Sequence, residues 1–222
     1  MASTVGSRLA YEKAKEAVNK AGFSTSTAVL SQSYLRSEVA LSTSKTSYQF
    51  PILINDNSQT VFNTAQLLNL QDAFYCSSIG LFFVKPSSTT SSEFPLNTFP
   101  DISVFSSSNT ASSLYSFYNG FMQLTVNNRQ IISAYNLSRH LYVPQTQGTT
   151  NAYYATSGIT TRSQQDGSSS AFYPVEPGIV FVGSKQNVLT VQIPQALTAI
   201  ETNSRAVIIF QGHLAQNVTP VR

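Results

Sequence analysis

The chain has 222 residues, of which 41% are hydrophobic and 11% aromatic, enough for the continuous core of one large β-domain. Charged residues make up only 10%, against about 25% in an ordinary soluble domain, and a net charge of +3 does not by itself indicate nucleic-acid binding. The single cysteine, Cys76, excludes an intrachain disulfide and is expected to be a buried thiol that acts as a small hydrophobe. No apolar run approaches the roughly 18 residues of a transmembrane segment, so we expect no transmembrane segment.

The N-terminal segment differs chemically from the rest of the chain, since nine of the 23 charged residues fall in its first 45 positions. Residues 7–22 predict a helix, with Ser7 as N-cap, Gly22 at the C-terminal end and an apolar face made mainly of alanines. A helix with so shallow a face is marginal in isolation. We expect it to pack either on a neighbouring subunit or against one end of its own domain.

Four basic side chains on this helix are candidates for contact with the phosphates of a nucleic acid: Arg8, Lys13, Lys15 and Lys20. Glu12 and Glu16 on the same helix weaken the positive field. An ordinary solvated face is therefore the simpler interpretation of this segment.

Strand patterns follow at short intervals from residue 34 onward. Two of them, 121–126 and 129–132, flank Asn127-Asn128, which predicts a type I′ hairpin because Asn tolerates positive φ. Other strand patterns occur at 34–41, 47–54, 79–84, 102–105, 137–143 and 206–210, whereas 60–70 is ambiguous and 111–118 has near-helical spacing.

The stretch 172–194 predicts a further hairpin, in which the turn 183–187 joins an apolar strand to an alternating one. Pro174, Pro177 and Pro194 should mark where strand pairing begins and ends, because proline donates no ladder hydrogen bond. The preceding stretch, 144–170, is rich in Gly, Ser, Thr and Gln. Loops of that length are usually functional or lie at an interface.

Together these patterns predict a mainly β protein, an antiparallel β-sandwich or jelly roll of roughly 8–10 strands with an N-terminal α-helix. We expect residues 1–32 to form a helix-and-connector arm and residues 33–222 a single β-sandwich (jelly-roll) domain.

Residues that could carry chemistry are few. His140 and His213 lack the spacing of metal ligands, and each is expected to be a partly buried strand histidine. Glu176 is the most interesting carboxylate, because prolines fix its backbone, but a rim charge or a partner for Arg129 or Arg139 is the simpler interpretation. The sequence thus predicts no catalytic site, no metal and no cofactor, and the protein is not expected to be an enzyme.

Six segments, taken with the N-terminal helix, are distinctive: YQFPILIN (48–55), LNLQDAF (68–74), NNRQI (127–131), FYPVEP (172–177), VGSK (182–185) and FQGHLAQNVTPVR (210–222). Together they resemble virion structural proteins of tailless bacterial viruses. The resemblance implies a jelly-roll capsid subunit whose N-terminal helix lies toward the particle interior or braces a neighbour. Many such viruses use a two-barrel subunit, whereas this chain is long enough for one barrel.

Our leading hypothesis is therefore a bacteriophage capsid protein that self-assembles into a shell, a homo-oligomer made in the host cytoplasm and located in the virion. Its partners would be copies of itself, other virion proteins and, through the N-terminal arm, the packaged genome. The alternative is a carbohydrate- or receptor-binding β-sandwich, such as a minor virion or spike protein that contacts host glycans. Its aromatic contact surface would be Tyr153, Tyr154 and Tyr173, since aromatic faces beside amides suit sugars and interfaces alike.

Overall fold

The computed structural model describes residues 2–55, 60–88, 95–100, 104–105, 108–142 and 171–220, excluding the side chains of 2–7 and 108–112. Within these ranges the protein is mainly β, with antiparallel sheets and the N-terminal helix α1 (Ala2–Lys20). The strands are β1 (Phe23–Ser24), β2 (Val29–Ala40), β3 (Ser47–Phe50), β4 (Ala73–Val84), β5 (Phe121–Val126), β6 (Arg129–Asn136), β7 (Phe172–Val182), β8 (Asn187–Gln192), β9 (Arg205–Gln216) and β10 (Thr219–Pro220). A second helix, α2 (Ser108–Tyr118), precedes β5, and a single 3-10 turn (Ser138–His140) follows β6.

Eight of these strands form two four-stranded antiparallel sheets, which we call sheet 1 and sheet 2. The strand order is β2-β9-β4-β7 in sheet 1 and β3-β8-β5-β6 in sheet 2, while β1 and β10 form a separate two-stranded ribbon. β2 pairs with β9, β3 with β8, β4 with β7, and β5 with β6. The first of the eight strands therefore pairs with the last, the second with the seventh, and so on inward.

The main core lies between the two sheets, as the period-two pattern of their strands requires. Leu189 and Val191 of β8 and Met122 and Leu124 of β5 are fully buried and alternate with more exposed positions. α2 contributes Phe117, whose ring meets Phe83 of β4 edge-on at 5.3 Å between centroids. The arrangement is sandwich-like.

The predicted Asn127-Asn128 hairpin is confirmed. Both residues have positive φ, 51° and 61°, and the flanking Val126 and Arg129 pair directly. The alternation predicted along 188–193 is confirmed as well, because the burial of β8 alternates residue by residue.

The predicted hairpin over 172–194 is wrong. Its two strands exist as β7 and β8, but β7 belongs to sheet 1 and β8 to sheet 2, so the intervening turn carries the chain from one sheet to the other. Pro174 and Pro177 lie inside β7 rather than at its ends. This is possible because β7 is the edge strand of sheet 1, where a missing N–H donor breaks no second ladder.

Other predicted boundaries shift. The helix begins at Ala2, earlier than predicted, and β2 begins at Val29, within the predicted connector. The strand predicted at 137–143 is wrong, since the described part of that stretch contains the 3-10 turn. Most of the strand predicted at 102–105 lies outside the described residues. No helix in the described ranges is both long and apolar enough to cross a bilayer.

Candidate functional site

The C-terminal half of α1 is attached to the outer face of sheet 1. Ala14 and Val18, four residues apart and therefore on one side of the helix, are fully buried. Val18 packs with apolar side chains of the strands beneath it, namely Ala73, Val182 and Ala215, together with Phe23. The sequence left open whether the helix packs on its own domain or on a neighbour, and for this half the answer is its own domain.

The preceding turns of α1 keep large apolar side chains in solvent. Leu9 is 59% exposed and Tyr11 is 40% exposed. At about 100° per residue, Leu9 lies on the side of α1 opposite Val18, whereas Tyr11 lies on the docked side. The N-terminal turns of α1 therefore present Leu9 away from sheet 1.

The four candidate basic residues do not share one face of α1. At about 100° per residue, Arg8 and Lys15 lie on one flank and Lys13 and Lys20 on another, about 140° away. Lys13 Nζ lies 3.8 Å from Glu176 of β7, and Lys20 Nζ lies 2.7 Å from Glu16. The partner of Glu176 is thus Lys13, not Arg129 or Arg139.

Tyr173, the described member of the predicted aromatic surface, is half-buried in β7. Its ring meets that of His140 edge-on, with 5.2 Å between centroids, and His140 in turn lies 5.6 Å from Tyr135 of β6. Tyr173 therefore takes part in a cluster where the edge strands of the two sheets approach each other. Tyr153 and Tyr154 lie outside the described residues.

His140 is fully buried in this cluster, in the 3-10 turn rather than in a strand. Burial lowers its pKa to about 4; the backbone of Ala171 acts weakly in the opposite direction without reaching hydrogen-bond geometry. The imidazole is therefore neutral at pH 7. His213, in contrast, is the half-buried strand histidine that the sequence predicted, and burial lowers its pKa too.

A buried ionic cluster on sheet 1 was missed by the sequence analysis. Glu38 accepts hydrogen bonds from Arg36 Nε at 2.7 Å and from Arg205 Nη1 at 3.2 Å, and the Thr64 hydroxyl also donates to it. The Arg205 guanidinium lies 3.8 Å from the ring centroid of Phe62. The signal was the Arg-x-Glu spacing, which puts Arg36 and Glu38 on one face of β2.

This cluster fastens the connecting segment 60–66 onto the outside of sheet 1. The backbone of Gln66 pairs with that of Arg36, through hydrogen bonds of 2.8 and 2.9 Å. Glu38 is therefore shared by β2, β9 and the connecting segment, and its carboxylate is completely buried.

Cys76 is buried, as predicted, and burial raises the pKa of its thiol to about 12. Within the described ranges, no group of three or more His, Cys, Asp and Glu side chains could hold a metal ion.

Comparisons with protein-family models, with curated proteins and with solved structures found no match to this chain.

Proposed function

We propose that this protein is a jelly-roll capsid subunit that assembles with copies of itself into a viral shell. The observation that carries the proposal is the pairing of the eight sheet strands, first with last and inward to the β5–β6 hairpin. Successive pairs alternate between sheet 1 and sheet 2. This pairing supports the proposed jelly roll, in which one long antiparallel ribbon is wrapped around a core.

The jelly roll also occurs in lectins and cupins, so the surface must decide between functions. With 10% charged residues, two copies of this chain repel each other only weakly. Leu9 on α1 is an apolar group directed away from sheet 1, and Tyr11 is 40% exposed, so both are available for contact with a neighbouring subunit. Tyr173, by contrast, is engaged by His140, which does not favour the sugar-binding alternative.

In this proposal α1 is the arm that braces the neighbour, docked on its own domain through Ala14 and Val18. Arg8 and Lys15, which share one flank of the helix, are the basic side chains best placed to meet packaged nucleic acid. The mature protein would be located in the virion, after synthesis in the host cytoplasm.

The test is a double variant, Leu9→Ala with Tyr11→Ala, which removes the exposed apolar groups and leaves the docked half of α1 intact. We expect it to retain the melting temperature of the original chain and to form few or no particles by electron microscopy. The matched control is Glu12→Ala, a truncation at an exposed polar position of the same helix, which should assemble normally. Normal particles from the double variant would refute the role of the arm.

A further inference from the structure

The outer face of sheet 2 carries an ordered array of uncharged side chains, which we call the sheet-2 face. It is built from β3, β8 and β5, whose outward residues align in two cross-strand rows. One row is Ser47, Gln192 and Phe121; the other is Gln49, Thr190 and Gln123. Gln192 Nε2 donates to Ser47 Oγ at 3.1 Å, which orients the first row.

The outer face of sheet 1 is different, because other parts of the chain cover it. Val18 of α1 packs against its β4, β7 and β9 strands, Leu96 and Phe172 pack beside Phe82, and the connecting segment 60–66 covers Glu38. In the described part of the chain, α1 makes its main contacts with β1 and with strands of sheet 1. Among the described residues the two sheets therefore present unlike surfaces: the outer face of sheet 1 is largely covered and includes Glu38, whereas the sheet-2 face presents neutral polar side chains and Phe121.

We infer that the sheet-2 face is the contact surface for the same face of a second copy of this chain, related by a twofold axis. This rests on the proposed function and deepens it by naming one contact of the shell. Because none of the six side chains ionises in the ordinary pH range, two such faces meet without opposing like charges. Amides and hydroxyls carry both donors and acceptors, so the face is complementary to itself, as an isologous contact requires.

The size of the face indicates how strong this contact is. β8 has six residues, which span about 20 Å, and the three strands of the face span about 14 Å, so the footprint is about 300 Å² per copy. A standard stable interface buries about 800 Å² per partner. The contact is accordingly weak between isolated subunits and useful in a shell, where each subunit makes several contacts at once.

The charge of the face can be changed at Thr190, the central residue of the second row. Thr190→Lys and Thr190→Glu each place like charges opposite one another in a twofold contact. We expect either variant to weaken dimerisation at least tenfold in sedimentation velocity of the full chain, and an equimolar mixture of the two to restore it. The matched control is Gln32→Lys, at an exposed position on β2 in sheet 1, which should leave dimerisation unchanged.

Each other outcome overturns the inference. If Thr190→Lys dimerises like the original chain, the face is not the contact; if the mixture fails to recover, the face meets a different surface. Binding of the original chain to a glycan array, abolished by Thr190→Lys, would assign the face to sugars. Should these variants fold poorly, the same pair of charges at Gln123 repeats the test in the same row.

Failure of this inference is distinguishable from failure of the proposed function. Normal shells from Thr190→Lys would refute the sheet-2 contact and leave the capsid role standing. If the original chain forms dimers but no shells under every assembly condition, the capsid role is refuted and the sheet-2 contact stands.

Discussion

Replacement of Glu38 by alanine should strongly destabilise the domain, because it leaves Arg205 buried without the carboxylate that it contacts. Arg205 has only 2% of its surface exposed, and the Glu38 carboxylate has none. Removing one partner of a buried pair costs about 3–5 kcal/mol. With an unfolding entropy of about 2.1 cal/mol/K per residue, this predicts a fall in melting temperature of about 6–11 °C. The segment 60–66 should also become more accessible to proteases.

The assay is thermal unfolding followed by circular dichroism, with cleavage by a protease of broad specificity as the second readout. The matched control is Glu16→Ala, which breaks the exposed pair with Lys20 and should leave the melting temperature unchanged. A melting temperature of Glu38→Ala within about 2 °C of the original would refute the reasoning, since it would mean that the buried cluster adds no net stability.

Two further predictions concern His140 and α1. Because the pKa of His140 falls from 6.5 to about 4, the unfolded chain binds the proton first, and about 3 kcal/mol of stability present above pH 6.5 should be lost by about pH 4.5. Urea unfolding at pH 7 and 4.5 measures this loss. If the His140→Phe variant loses as much free energy of unfolding between the two pH values as the original chain, the prediction is contradicted. Val18→Ala should weaken docking of α1 by about 1.5 kcal/mol and speed trypsin cleavage within the helix. Leu9→Ala should leave both docking and cleavage unchanged. Equal rates of trypsin cleavage for the two variants would argue against the docking of α1 through Val18.

The features that the sequence predicted well are those set by a few neighbouring residues. Asn127 and Asn128 determine the β5–β6 hairpin because few other residues accept positive φ at both turn positions. The buried state of Cys76 likewise follows from its residue type, because a free cysteine usually behaves as a small buried hydrophobe.

The features that it missed depend on distant parts of the chain. No local feature of 172–194 indicates that β7 pairs with β4, or that β8 pairs with β3 and β5. The short turn between β7 and β8 therefore predicts a hairpin that does not form. Glu38 and Arg205 are 167 positions apart, and only the pairing of β2 with β9 brings them together. Glu176 is exposed, as expected of a rim charge, but its contact with Lys13 could not be predicted, because the position of α1 over sheet 1 is a tertiary property.

The contrast between the two sheets suggests how a weakly charged protein can assemble without aggregating. β6, an edge strand of sheet 2, carries irregularities in its pairing with β5 opposite Leu124. Bulges of this kind twist an edge away from further strand addition. In the proposed shell, association would accordingly favour the sheet-2 face and α1 over this strand edge.

The most direct test of the capsid proposal is electron cryomicroscopy of the purified full chain, concentrated under a range of salt and pH conditions. The proposal predicts closed particles of uniform diameter whose subunits touch through α1 and through the sheet-2 face. A protein that stays monomeric in every condition, with no particles or smaller oligomers, would contradict it.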